Sequence, residues 1–194
     1  MMVNPFLTAL VFLVSVVFGT YILFVMLRFL FQLMHIGIRG NPLLRFFWKV
    51  TDPPLRFLYH FIPGWRDIDF AAIVLMLFLK NFELMLTMVW LYGKNLSMAG
   101  LFLLACADLV SLLLNIFFFT LIIQVILSWI SPYDSYNNPV GYLLYQLNEP
   151  LLRPVRRKLP ALHGIDFSPF VVLVGLQLII ILVVDSLRYL AASH

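Results

Sequence analysis

Four stretches of this chain, each 18 to 23 residues long, are almost unbroken runs of apolar side chains, and no other feature limits the fold as strongly. Pro5 to Leu27 is 23 residues without a charge, and Phe70 to Tyr92 is 23 residues interrupted only by Lys80 and Glu83. Leu109 to Ile130 adds 22 uncharged residues, and Phe167 to Val184 adds 18 before Asp185. About 20 apolar residues in a helix cross the roughly 30 Å hydrocarbon layer of a bilayer. Lipid offers no partner to backbone N–H and C=O groups, so a lone segment in it closes its own hydrogen bonds as a helix. Composition points the same way: 63% of residues are hydrophobic and 11% charged, against about 45–50% and 25% in soluble domains. The expected fold is an all-α membrane protein with four transmembrane helices.

The N-terminal run has no positive flank, exceeds the usual signal-peptide core and lacks a small-residue cleavage site, so a retained anchor is expected. Cys106 is the single cysteine, which excludes an intramolecular disulfide.

Residues 28–69 and 131–166 connect the spans within each half, alternating aromatic, aliphatic and basic side chains. Within 138–160, Leu151, Leu152, Val155 and Leu159 fall on one helical arc while Arg153, Arg156 and Arg157 point away. Within 41–63, Phe46, Phe47, Trp48, Phe57, Tyr59 and Phe61 alternate with Arg45, Lys49 and Arg56. Both patterns predict segments lying in the headgroup region, cut into short helical pieces by Pro53, Pro54, Pro150 and Pro154. These connections carry ten of the thirteen Lys and Arg residues. The positive-inside rule therefore places both in the cytoplasm and both termini on the opposite side of a bacterial inner membrane.

The halves align without gaps at an offset of 97 residues, dividing the chain into repeats 1–97 and 98–194. Asn41-Pro42 matches Asn138-Pro139, Asp52-Pro53 matches Glu149-Pro150, Leu55-Arg56 matches Leu152-Arg153, Pro63 matches Pro160, and Ile68-Asp69-Phe70 matches Ile165-Asp166-Phe167. The matched residues are helix punctuation. Asn before Pro reads as a cap followed by proline at the first helical position. Asp52 and Glu149 read as acidic starts of a second short helix, and Asp69 and Asp166 as caps of the second span. With two spans per repeat the copies share an orientation, related by an axis along the membrane normal.

The second half, with Asn138-Pro139, the run Glu149-Pro150-Leu151-Leu152-Arg153-Pro154-Val155-Arg156-Arg157, Pro160 and Gly164-Ile165-Asp166-Phe167-Ser168-Pro169, resembles the signature of the YggT (YlmG-like) family. The first half carries a weaker version, in which Tyr59-His60 replace the arginine pair and Ala71-Ala72 replace Ser-Pro. The resemblance implies a small inner-membrane protein without an established biochemical activity, associated with osmotic or salt stress tolerance, with division and nucleoid organisation, and in plastids with cytochrome assembly.

Lys80 and Glu83 stand three residues apart on one helical face, so each neutralises the other. Two readings follow: an ion relay or partner dock, or a self-paired charge that helps the helices pack. Gln177 and Ile180 occupy the equivalent positions in the second half, which favours packing. Asp108 and Asp185 are expected toward the outer surface, hydrated, while Asn115 and Gln124 are expected to bond across helices. Arg153, Arg156, Arg157 and Lys158, with Arg56, form a candidate docking surface for anionic lipid or a partner. A cluster this small, pressed against a bilayer, argues against nucleic acid. His35, His60, His163 and His194 lack metal-ligand spacing, and no phosphate loop, nucleophile elbow or carboxylate dyad is present. No cofactor and no metal is therefore expected. The leading expectation is a non-enzymatic adaptor or assembly factor working with membrane-protein partners or as a homo-oligomer. The alternative is a small transporter or channel using Lys80 and Glu83.

Overall fold

The computed structural model describes residues 5–36, 42–62, 68–91, 93, 97–130, 139–159 and 166–192. Among these the elements are all helical: α1 (Pro5–Leu33), α2 (Pro42–Tyr59), α3 (Phe70–Leu84) continuing as a π-helical stretch (Met85–Leu91), α4 (Met98–Ile130), α5 (Pro139–Lys158), α6 (Ser168–Ile179) with a π-helical stretch (Ile180–Val184), and α7 (Asp185–Ala192). Four helical segments are long and apolar enough to cross a membrane. The spans outrun the apolar runs: α1 extends to Leu33, α4 begins at Met98, and the last span continues through α7.

α1 stops where its backbone turns left-handed. His35 has φ 54°, the Ile36 N–H reaches back to the Phe31 carbonyl, and the His35 N–H reaches the Gln32 carbonyl. This is a Schellman closure, completed by Ile36 and Phe31 burying together.

α3 packs between α1 and α4, and α4 packs in turn on α6 and α7. The halves thus meet through α3 and α4, and through Leu143 of α5, which is buried with Phe31, Ile36 and Leu44, while α1 and α6 make no comparable contact among the described residues. The outward faces carry large apolar side chains such as Phe12, Phe78, Phe119 and Leu182. So much exposed apolar surface is stable only in lipid.

Two expectations for the connecting segments need correction. α2 and α5 are not chopped into pieces: both run continuously, with Pro53 and Pro54 inside α2 and Pro150 and Pro154 inside α5. A proline interior to a helix costs about 3 kcal/mol. Tertiary anchors offset that cost, because Leu44 and Leu55 are fully buried on either side of the α2 prolines, and Leu147 and Leu152 flank Pro150. Asp52 and Glu149 consequently sit in mid-helix rather than at a helix start, and their carboxylates take other partners. Nor do the apolar stripes of α2 and α5 simply lie on lipid. Leu55, Leu147 and Leu152 belong to the main core with Val25, Leu75, Leu121 and Val172, and Leu151 and Val155 pack against it. Each amphipathic helix therefore packs on its own pair of spans, and α5 also buries Leu143 against the first half. Phe46, Phe57, Phe61 and Leu159 are left facing outward.

Leu55 and Leu152 are both fully buried, as are Ala71 and Ser168 at the starts of α3 and α6.

Candidate functional site

Among the described residues, three polar clusters interrupt the apolar frame. The first joins α3, α4 and α7. Lys80 Nζ lies 3.0 Å from Glu83 and 3.2 Å from Asp108 of α4. The other Asp108 oxygen accepts from Arg188 of α7 at 2.9 Å, and Arg188 reaches Asp185 at 3.5 Å. Lys80 and Asp108 each stand ten residues from the start of their helices, roughly 15 Å along the axis. Asp108 is partly exposed and bridges two cations, Lys80 and Arg188. Asp185 is the exposed end of the series. The π-helical stretches flank this cluster, one following Glu83 and the other preceding Asp185. A π turn adds a residue to the helical repeat and so re-aims the side chains that follow.

The second cluster fastens α2 to α1. Arg28, 4% exposed near the end of α1, donates to Asp52 at 2.5 Å, to the Thr51 hydroxyl at 2.9 Å and to the Trp48 carbonyl at 3.4 Å, and its guanidinium lies over the Trp48 ring. Arg56, exposed, shares Asp52 at 3.2 Å. At the far end of α2 the Tyr59 hydroxyl donates to Asp69. Burial, and then the hydrogen bond to that carboxylate, push the Tyr59 phenol well above its ordinary value. Asp69 also accepts from the Ala72 N–H at 3.1 Å, capping α3.

The third cluster fastens α5 to α4 and α6 at positions displaced by 97. Asn148, the counterpart of Thr51, donates to Gln124 at 2.8 Å and accepts from the Thr120 hydroxyl at 3.0 Å. Arg156, the counterpart of Tyr59, bonds Asp166 at 2.8 Å and Glu149 at 3.1 Å. Asp166 also accepts from the Ser168 N–H at 2.9 Å. Partial burial opposes the Asp166 charge, but hydrogen bonds from Ser168 and Arg156 outweigh it and hold its carboxyl below the usual range. Each half therefore ties its amphipathic helix to the residue before its second span. The first half uses a phenol for this and the second a guanidinium.

The five basic docking candidates thus divide. Arg156 is engaged by two carboxylates and Arg56 by one, whereas Arg153, Arg157 and Lys158 are exposed on α5 and reach no carboxylate among the described residues. Pro42 and Pro139 are the first residues of α2 and α5. Asn41, Asn138 and Pro160 lie outside the described residues. Gln124 bonds across to α5, but Asn115 turns back on its own helix, donating to the Ser111 carbonyl at 2.8 Å and hydroxyl at 3.2 Å. The cross-helix bond expected of Asn115 is therefore replaced by an intrahelical one, because Ser111 sits one turn away.

Sequence reasoning missed Arg28, Thr51, Tyr59, Thr120, Asn148 and Arg188 as contact makers. For the α2 and α5 residues a signal existed, since Thr51 and Asn148, and Tyr59 and Arg156, are register partners in the repeat. For Arg188 none did, because its partner Asp108 lies 80 residues away.

This geometry defines the class: a multi-pass helical membrane protein whose two amphipathic helices are clamped to its spans. A family model described as CCB3/YggT matches the chain twice, over residues 7–91 and 103–187. The chain belongs to this family. It is 39% identical to an uncharacterized protein of Pseudomonas aeruginosa over 93% of this chain and 90% of the relative. It is 36% identical to the protein of Escherichia coli K12 called uncharacterized protein YggT, over 89% and 88%. An uncharacterized protein of Haemophilus influenzae is 38% identical over 69% and 68%. No solved structure matches the chain.

Proposed function

We propose that this protein is a non-enzymatic adaptor or assembly factor of the bacterial inner membrane. Its four spans form a rigid frame that holds a basic helical face at the cytoplasmic surface for anionic lipid and for partner membrane proteins. The observation that carries this reading is the division of charge. The cations within the bundle, Arg28 and Lys80, are neutralised by carboxylates of this chain, while Arg153, Arg157 and Lys158 stand exposed on a helix whose opposite face is locked into the core. A charge spent internally adds nothing at the surface, whereas each exposed one adds about 1 kcal/mol of attraction to an acidic leaflet. Arg45 and Lys49 extend the exposed basic character to α2.

The test is crosslinking in native membranes followed by partner identification, comparing the protein with Arg153→Gln/Arg157→Gln/Lys158→Gln. The adaptor reading expects partners to be lost at unchanged abundance, and an unchanged partner list refutes it. The orientation is tested separately, with a reporter fused at the C-terminus expected to read outside the cytoplasm. The alternative, a small transporter or channel, draws on the continuous series Glu83, Lys80, Asp108, Arg188 and Asp185. Against it, Lys80 is held by two carboxylates, and a conducting group needs a charge free to exchange partners.

A further inference from the structure

A cleft of about 840 Å³ opens between the end of α4 and the start of α6, beside α5. Leu121, Val125, Trp129, Phe170 and Leu173 form its walls, and the Arg156–Asp166 pair stands at its polar end. The residue 97 positions before Val125 is Arg28, whose long side chain is buried against α2; Val125 has only two methyl groups to offer there.

The geometry points to this cleft as a binding site for one anionic phospholipid, an acyl chain lying between α4 and α6 and the phosphate meeting the basic end of α5. The walls belong to two spans and are apolar, so the occupant comes from the bilayer. The charge selects its headgroup. Arg156 lines the cleft and meets Glu149 and Asp166, and the exposed Arg153, Arg157 and Lys158 stand within three residues of it on α5. Those two carboxylates take Nε and one terminal nitrogen of Arg156, leaving further guanidinium N–H groups to donate to a phosphate. Arg153 stands one turn before both Arg156 and Arg157, at spacings of three and four residues. A neutral headgroup leaves this excess positive charge uncompensated. The inference deepens the anionic-lipid part of the proposed function and rests on it, whereas Val125→Phe leaves the arginines in place and so tests the cleft apart from the basic face and its partners.

Trp129, 81% exposed on the cleft wall, provides the probe. Purified protein in detergent is titrated with phosphatidylglycerol brominated on its acyl chains, and separately with phosphatidylcholine carrying the same chains. The quench lost in Trp129→Phe isolates the signal of this residue. Phosphatidylglycerol is expected to quench at several-fold lower concentration than phosphatidylcholine. Arg153→Gln/Arg157→Gln should erode that preference by roughly fivefold per arginine. Val125→Phe, filling the cleft, should abolish it at an unchanged unfolding temperature. If Val125→Phe does not fold, the two exposed arginines carry the test. Equal quenching by the two lipids, meaning an unselective lipid shell, overturns the proposal. So does a preference that survives the arginine pair or a folded Val125→Phe. Shielding of Trp129 from both lipids in a dimeric protein also overturns it, since a second copy then covers the cleft.

Discussion

Replacing Lys80 by leucine tests the central cluster, because Lys80 is one cation shared by two carboxylates of unequal fate. Asp108 keeps Arg188 at 2.9 Å when Lys80 is gone. Glu83, whose side chain is 6% exposed, keeps no cation among the described residues. An uncompensated buried charge costs about 3–5 kcal/mol. For a chain of this size that corresponds to a fall of roughly 6–20 °C in unfolding temperature, at about 2–4 °C per kcal/mol. Lys80→Leu/Glu83→Leu removes both charges and replaces them with apolar volume, so it should unfold within about 1–2 kcal/mol of the parent. Glu83→Gln should be milder than Lys80→Leu, since Lys80 still has Asp108. The assay is thermal unfolding in detergent, followed by tryptophan emission and by size-exclusion retention, at equal protein concentration. If Lys80→Leu proves no less stable than the double variant, the argument that Lys80 serves as a neutralising bridge is refuted. If the double variant is stable but loses function in cells, the pair works in transport instead.

Other consequences follow from the clamps. Arg28→Met removes the donor to Asp52, Thr51 and the Trp48 carbonyl, leaving Asp52 only the exposed Arg56; a loss of about 1.5–3 kcal/mol is expected in the same unfolding assay. Asn148→Leu strands the Gln124 side chain at the α4–α5 contact and leaves the Thr120 hydroxyl only the Phe117 carbonyl of its own helix, and should cost about 1–3 kcal/mol with faster proteolysis of α5. The Asp166 carboxyl lies below its ordinary range in the folded protein, so its stabilisation is present above the ordinary carboxylate pKa and is lost as pH falls through the lowered folded value. Below about pH 4 the unfolding temperature of the parent should therefore fall more steeply than that of Asp166→Asn, and parallel curves count against the Arg156–Asp166 clamp.

The local sequence by itself determined the solvent and the number of spans. Runs of about 20 apolar residues can close their hydrogen bonds in lipid only as helices, whatever surrounds them. The charge spacing of Lys80 and Glu83 was equally local, because three residues on a helix always share a face. The prolines of α2 and α5 misled for the complementary reason. A local propensity of about 3 kcal/mol was overridden by the burial of Leu44, Leu55, Leu147 and Leu152 against distant spans. Asp52 and Glu149 read as helix starts only while that packing was unknown. Within the bundle, one carboxylate found two partners that no spacing announces: Asp108 meets Lys80 and Arg188 because α4 packs against both α3 and α7. Which cations are spent inside the frame and which are left at its surface is likewise decided by tertiary proximity, since an ion pair depends on distance in space and not on separation along the chain.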